Sequence, residues 1–204
     1  MTRGRLIAFE GGEGIGKSTQ AERLADHLHA VLTREPGGTD VGERVRELLL
    51  DPEVRGLDAR AEALLMAAAR AHHVATVVRP ALEAGRDVVT DRYSHSSLAY
   101  QGFGRGLDVE QLRGLSTWAT DDLWPDLVVL LDVPEEESAA RRRRIGHRPD
   151  RLESEAEDFH RRVVNGFRAM AAAEPDRWLM VDGTGDTDEV TDRVLKGVDA
   201  RLRR

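Results

Sequence analysis

Cysteine is absent from the 204 residues, so no disulfide staples this fold. None is needed, because a chain of this length buries about 70% of its unfolded surface. Aromatic residues make up only 4% of the chain, and aromatic-rich motifs for stacking single-stranded nucleic acid are missing. No apolar run approaches the roughly 20 residues that cross a bilayer, which excludes a membrane-spanning protein. The first twenty residues lack the basic start, apolar stretch and small-residue cleavage site of a secretory signal, which together with the missing cysteine predicts a cytoplasmic protein. Lysine is nearly missing too: of 30 basic residues only Lys17 and Lys196 are lysine, leaving 28 arginines. A lysine that survives such a bias asks for a reason. Asparagine occurs once, at Asn165 before a glycine, so the N-K-x-D signature of guanine-specific switches cannot be present.

What is present is charge. One third of the residues are charged, with a formal net charge of −7, and this acidic balance disfavours a protein that coats nucleic acid. Any contact with a polyanion must be local. Apolar, β-branched runs at 6–9, 88–90, 127–131 and 178–181, with a weaker one at 30–33, read as short buried strands. Helical patterns lie between them at 17–29, 42–50, 59–83, 109–119, 135–144, 155–173 and 188–202. Alternation of this kind implies right-handed crossovers and a parallel sheet with helices on both faces. Ligands are then held beyond the carboxyl ends of the strands. The whole of 1–204 is expected to form one domain, with a loop after Arg144 that contains Gly146 and Pro149.

The segment GGEGIGKS at 11–18 fits G-x-x-x-x-G-K-[ST], after a strand and at the start of a helix. In such a loop Gly11, Gly12, Glu13, Gly14, Ile15 and Gly16 offer backbone N–H groups to phosphate oxygens. The start of the helix, with Thr19 in its first turn, adds partial positive charge. Lys17 bridges the outer phosphates and Ser18 offers an oxygen to Mg²⁺, with nucleoside triphosphate as the implied ligand. A phosphate loop names no second substrate.

Further stretches narrow the choice. REPGGT at 34–39, GERVR at 42–46, LLMAAAR at 64–70 and DRYSHSSLAYQG at 91–102 follow in order. RRRRIGHRPDRLE at 141–153 then runs into FHRRVVNGF at 159–167. Together with the phosphate loop they resemble the bacterial thymidylate kinases, of the type with a basic lid, over roughly 6–182. The resemblance implies an α/β fold of the P-loop nucleoside monophosphate kinase kind: three layers, a parallel sheet and an arginine-rich lid at about 141–153. It also implies transfer of the γ-phosphoryl group of Mg²⁺-bound ATP to dTMP by a homodimer, with no nucleic-acid or membrane partner.

Residue roles follow from that resemblance. Arg92 and Arg46 resemble ligands of the acceptor phosphate, and Asp91 a carboxylate that orients Mg²⁺ through water. Alone, Asp91 and Arg92 could be a strand-end ion pair, and Asp132 is a rival on the metal side. Glu13 resembles an acceptor of the sugar 3′-OH, Glu35 a further site carboxylate, and Pro36 a residue that shapes its turn. Base choice is expected from Met66, Arg70, Ser97 and Gln101, with Tyr100 against the sugar. Arg70 only donates, which matches O4 of thymine and mismatches the amine of cytosine. Met66 departs from the family, which stacks phenylalanine on the base; the residue could equally be core. Arg141 resembles a guanidinium stacked on adenine, and Arg148 and Arg151 are the two candidates for the transition-state charge. The same arginine cluster, read alone, is a solvated helix face or a nucleic-acid patch. Readings outside this family are another nucleoside monophosphate or deoxynucleoside kinase, or a nucleotide-binding switch. The histidines carry no metal-ligand spacing.

Overall fold

The computed structural model describes residues 2–144 and 149–202, with the side chains of Arg142 and Arg143 also outside the description. Five strands form one parallel sheet: β1 (Leu6–Glu10), β2 (Val31–Arg34), β3 (Val88–Asp91), β4 (Leu127–Asp132) and β5 (Trp178–Asp182), in the order β2-β3-β1-β4-β5. The expected strands and the expected parallel sheet are all there. Because β1 is followed through α1 by β2 on one side, while β4 adds on the other, the order reverses at β1. A crevice opens beyond the carboxyl end of a strand at such a point.

Side chains alternate along each strand, and this distributes the core over both faces of the sheet. Ile7, Phe9, Val89, Val129 and Leu131 pack with Leu24 of α1 (Lys17–Leu28) and Val190, Val194 and Val198 of α9 (Thr187–Leu202). Val128, Leu130 and Trp178 face the other way, toward Phe159, Val163 and Phe167 of α8 (Glu157–Ala173). Leu6, Ala8 and Val88 meet Val74, Val78 and Leu82. The expected helix over 59–83 is present as α3 (Ala59–His73), a π-helical turn (Val74–Val78) and α4 (Arg79–Glu83). Helices α2 (Asp40–Leu50), α6 (Val109–Thr120) and α7 (Glu135–Arg144) complete the expected set.

One helix was not expected. Residues Ser94–Ser97 form α5 and continue through π-helical turns at Leu98–Gly104. Its glycines argue against a helix by propensity. Packing requires them: a Cβ on Gly104 would lie 2.6 Å from the ring of Phe159, and one on Gly166 would lie 2.6 Å from that of Phe103. The segment and α8 therefore approach through two reciprocal glycine–phenylalanine contacts.

Gly166→Ala should force these helices apart and cost roughly 1–3 kcal/mol, the usual penalty of overpacking. Urea denaturation measures it; an unchanged midpoint would mean that Phe103 yields freely.

Candidate active site

The loop after β1 is shaped for an anion. Gly11 has φ 135° and a Cβ there would strike the carbonyl oxygen of Leu131 at 2.6 Å, so glycine is required. Gly16 caps α1 with φ 91°, and among the described residues no side-chain cap bonds the first N–H groups of the helix. Those donors remain for a ligand. Lys17 is buried, its Nζ donating to the carbonyl of Gly12. Burial first, then repulsion from Arg92, lowers its pKa to about 8 against the pull of Glu13 and Asp91. Ser18 Oγ donates to Asp91 Oδ2 at 2.5 Å, while Asp91 Oδ1 is buried without a partner among the described residues. A hydroxyl and a carboxylate with one orphaned oxygen beside the loop suit a hard cation such as Mg²⁺. Asp132, the rival, is paired with Arg168 at 2.8 Å.

Arg92 follows β3 in the left-handed region, φ 72°, which swings its side chain across the crevice. Its guanidinium donates to Gly11 O (3.0 Å), Ser96 Oγ (3.1 Å), Glu13 Oε1 (2.8 Å) and the Tyr100 hydroxyl (3.0 Å), and stacks 5.0 Å from the Tyr100 ring. Tyr100 also donates to Glu13. Burial alone would raise the pKa of Glu13; Arg92, Lys17 and the Tyr100 hydroxyl outweigh it and bring it to about 2.

On the other side lies a cleft of about 530 Å³, lined by Pro36, Leu50, Met66, Arg70, Ser97 and Gln101 among others. The loop cleft, about 900 Å³, shares Glu13, Glu35, Arg46, Arg92 and Asp150 with it. Arg46 holds the carbonyl of Pro36 at 2.8 Å. Arg70 is locked by Glu35 (2.6 Å), Ser97 Oγ (3.1 Å) and the carbonyl of Tyr93 (3.3 Å), with Nη1 left over. Glu35 is also tied to His73 Nδ1 at 3.0 Å, and His73 Nε2 lies 2.7 Å from Thr33 Oγ1. Thus Glu35 supports Arg70, and His73 is more than a core histidine.

The structure therefore brings together Glu13, Glu35, Pro36, Arg46, Met66, Arg70, Arg92, Ser97, Tyr100 and Gln101 at one cleft, and Glu13 to Thr19 of the loop with Asp91 at its neighbour. Arg141 reaches Ile15 O (3.5 Å) and Gly183 O (3.0 Å), beside the loop. Arg151 is paired with buried Glu62 at 2.6 Å and donates to Leu49 O at 2.7 Å, between Asp150 and Glu153, which line the loop cleft. A buried carboxylate needs a cation, and this one takes Arg151. Arg148, the other lid candidate, lies outside the described residues. Sequence reasoning missed Glu62, Asp150 and Glu10, none of which sits at a motif position that names its role.

A family model described as thymidylate kinase matches residues 9–194. Curated relatives named thymidylate kinase include one from Desulfovibrio desulfuricans, 48% identical, covering 98% of this chain and 97% of its own length. One from Leifsonia xyli subsp. xyli is 50% identical, covering 98% and 96%. The crystal structure of a thymidylate kinase from Ehrlichia chaffeensis superposes with a TM-score of 0.79 at 32% identity, covering 96% of this chain and 99% of that one.

Glu10, at the end of β1, is fully buried and accepts from Tyr93 N (3.0 Å), Ser96 N (3.1 Å) and Ser96 Oγ (2.6 Å). Burial raises its pKa from 4.5 to about 7 despite the pull of Arg92 and Ser96. The folded chain then binds a proton that the unfolded chain has released, so the associated stability is present below pH 4.5 and is lost as pH rises through about 7. Urea titrations of the wild type and Glu10→Gln should show the wild type losing ground to the variant between pH 5 and 8. A difference that stays flat over that range would refute the shift.

Proposed function

The chain belongs to the thymidylate kinase family and transfers the γ-phosphoryl group of ATP to dTMP, and we propose how its residues divide that work. The donor triphosphate lies along Gly11–Thr19 and dTMP in the cleft of Arg70 and Gln101, so that the two meet at Arg92. The observation that carries this reading is the set of residues common to both clefts, with two arginines among them.

Repulsion is the obstacle. Two unit charges ~4 Å apart oppose each other by about 4 kcal/mol at an effective dielectric of 20. Lys17, Arg46 and Arg92 converge on the junction and offset it, and phosphoryl transfer needs chiefly this positioning and charge. The attacking acceptor oxygen is already anionic, so no covalent nucleophile from the protein takes part. Arg92 clamps the acceptor phosphate, and Glu13 accepts the sugar 3′-OH. Tyr100 closes the space a 2′-OH would need. Ser18 and Asp91 would hold Mg²⁺, which when bound would neutralise charge on the outer phosphates. Arg141 stacks on adenine. With Arg151 committed to Glu62, the transition-state charge of the lid falls to Arg148, and the chain works as one domain with a lid at about 141–153.

No helix among the described residues is long and apolar enough to cross a membrane, which accords with the cytoplasmic site we propose. The homodimer has support as well. Helices α2, α3 and α6 pack side by side, and each leaves a large apolar side chain in solvent: Leu48 (45% exposed), Leu64 (58%) and Trp118 (83%). A dimer formed through this face would bury all three.

ADP release with Mg²⁺-ATP should require dTMP in a panel that includes dUMP, CMP, UMP, AMP, GMP and thymidine. Lys17→Ala should lower it by at least ~10²-fold, as loss of a preorganised charge donor does. Turnover that prefers another acceptor, or survives the substitution, would sink this reading. For the dimer, Trp118→Glu should shift sedimentation toward the monomer; an unaltered profile would move the interface elsewhere.

A further inference from the structure

Two buried atoms of the acceptor cleft have no hydrogen-bond partner among the described residues: Nη1 of Arg70 and Oε1 of Gln101. One can only donate, the other only accept. A pyrimidine edge that fits the pair offers an acceptor beside an N–H, as O4 and N3–H of thymine do. Cytosine offers the inverse, an amine beside an unprotonated nitrogen. This matching rests on the reading of the cleft as the dTMP site.

The two halves of the pair differ in how firmly their sense is set. A guanidinium has no acceptor to turn toward the ligand. A glutamine amide does: a half-turn about its last bond exchanges N–H for oxygen and would suit N3 of cytosine. What opposes that turn lies behind the wall of the cleft. Gln101 Nε2 donates to Glu62 Oε1 at 2.8 Å, and Glu62 is fully buried on α3. Burial raises the pKa of Glu62, but hydrogen bonds from Arg105 and Gln101 and the charge of Arg105, followed by Arg151, bring it below the usual carboxylate value. Arg105 reaches its two oxygens at 3.3 and 3.1 Å, and Arg151 lies at 2.6 Å. An ionised carboxylate has no hydrogen to give. A reversed Gln101 would therefore press oxygen on oxygen in a buried site.

We propose that Glu62 is a specificity-determining positioning residue: its carboxylate sets the sense of the Gln101 amide and thereby makes the cleft reject a cytosine edge. Since Arg151 is bound to the same carboxylate, the lid segment and the base-reading amide share one anchor.

The test is the ratio of kcat/KM for dTMP over dCMP. Glutamine at position 62 can turn either an oxygen or an N–H₂ toward its neighbour, so Glu62→Gln should lower the ratio by about tenfold or more. Glu62→Asp, still an acceptor only, should restore most of it. A Glu62 that served folding alone would reduce both substrates equally, and an unchanged ratio overturns the proposal. Should the single variant not fold, Glu62→Gln combined with Arg105→Met removes one stranded cation and lays a thioether on the Phe159 ring, over which Arg105 now sits at 4.8 Å. The same ratio is then read. Binding of N3-methyl-dTMP to the wild type separates the two levels. If it is rejected while the Glu62→Gln ratio holds, the cleft reading stands and Glu62 has no such role. If it binds like dTMP, both fall.

Discussion

A cation held ready at the meeting point of two clefts is the constraint on which this structure depends. Arg92 must neutralise two anions when they arrive, and must stay in place before they do. Glu13 and Tyr100 hold one edge of its guanidinium, with Gly11 O and Ser96 Oγ on another nitrogen. Glu10 lies 3.9 Å away and simultaneously takes up N–H groups at the start of the next helix. The φ of 72° at Arg92 is tolerated because so many contacts determine where the side chain goes.

The same device recurs on the acceptor side. Glu35 fixes Arg70 from behind and is itself fixed by His73. Glu62 fixes Gln101 and draws in Arg105 and Arg151. Arg70 and Gln101 are thus each aimed by a buried carboxylate one layer deeper. A buried charge is costly unless paired, and pairing in turn restricts the geometry of its partner. Most of the net acidity of this chain lies on its surface, but Glu10, Glu35 and Glu62 use the interior, at 0, 4 and 0% exposure.

Legibility in the sequence follows from these layers. Strands β1, β3 and β4 were readable because they are buried on both faces and so run apolar without interruption. Strand β2 gave a weaker signal, since it lies at the sheet edge with Leu32 exposed. The helix from Ser94 to Gly104 was not readable, because Glu10 at the end of β1 accepts its N-terminal N–H groups and α8 packs on Gly104. Ligand-facing residues sat in motifs, and the structure gathers them. Of the carboxylates behind them Glu35 sat in a motif and Glu62 did not: it meets Gln101 and Arg105 across 39 and 43 residues of chain, a relation no local pattern encodes. The partner of Arg151 was hidden for the same reason. Its position in an arginine run spoke for the lid, while its partner lay on α3.

The choice of arginine over lysine is part of the physics. A guanidinium carries five donors in a planar fork, so one residue can hold several partners in fixed directions. Arg92 bonds four groups and Arg70 three, and neither arrangement is open to an ammonium, with three donors that rotate. Lys17 is the exception because its task is the opposite one. It enters a glycine-walled loop that a planar group would overfill, and it must turn from Gly12 O toward phosphate oxygens when they arrive. A chain nearly emptied of lysine keeps one where a compact, rotatable charge is needed, and uses arginine where the direction of each hydrogen bond decides what binds.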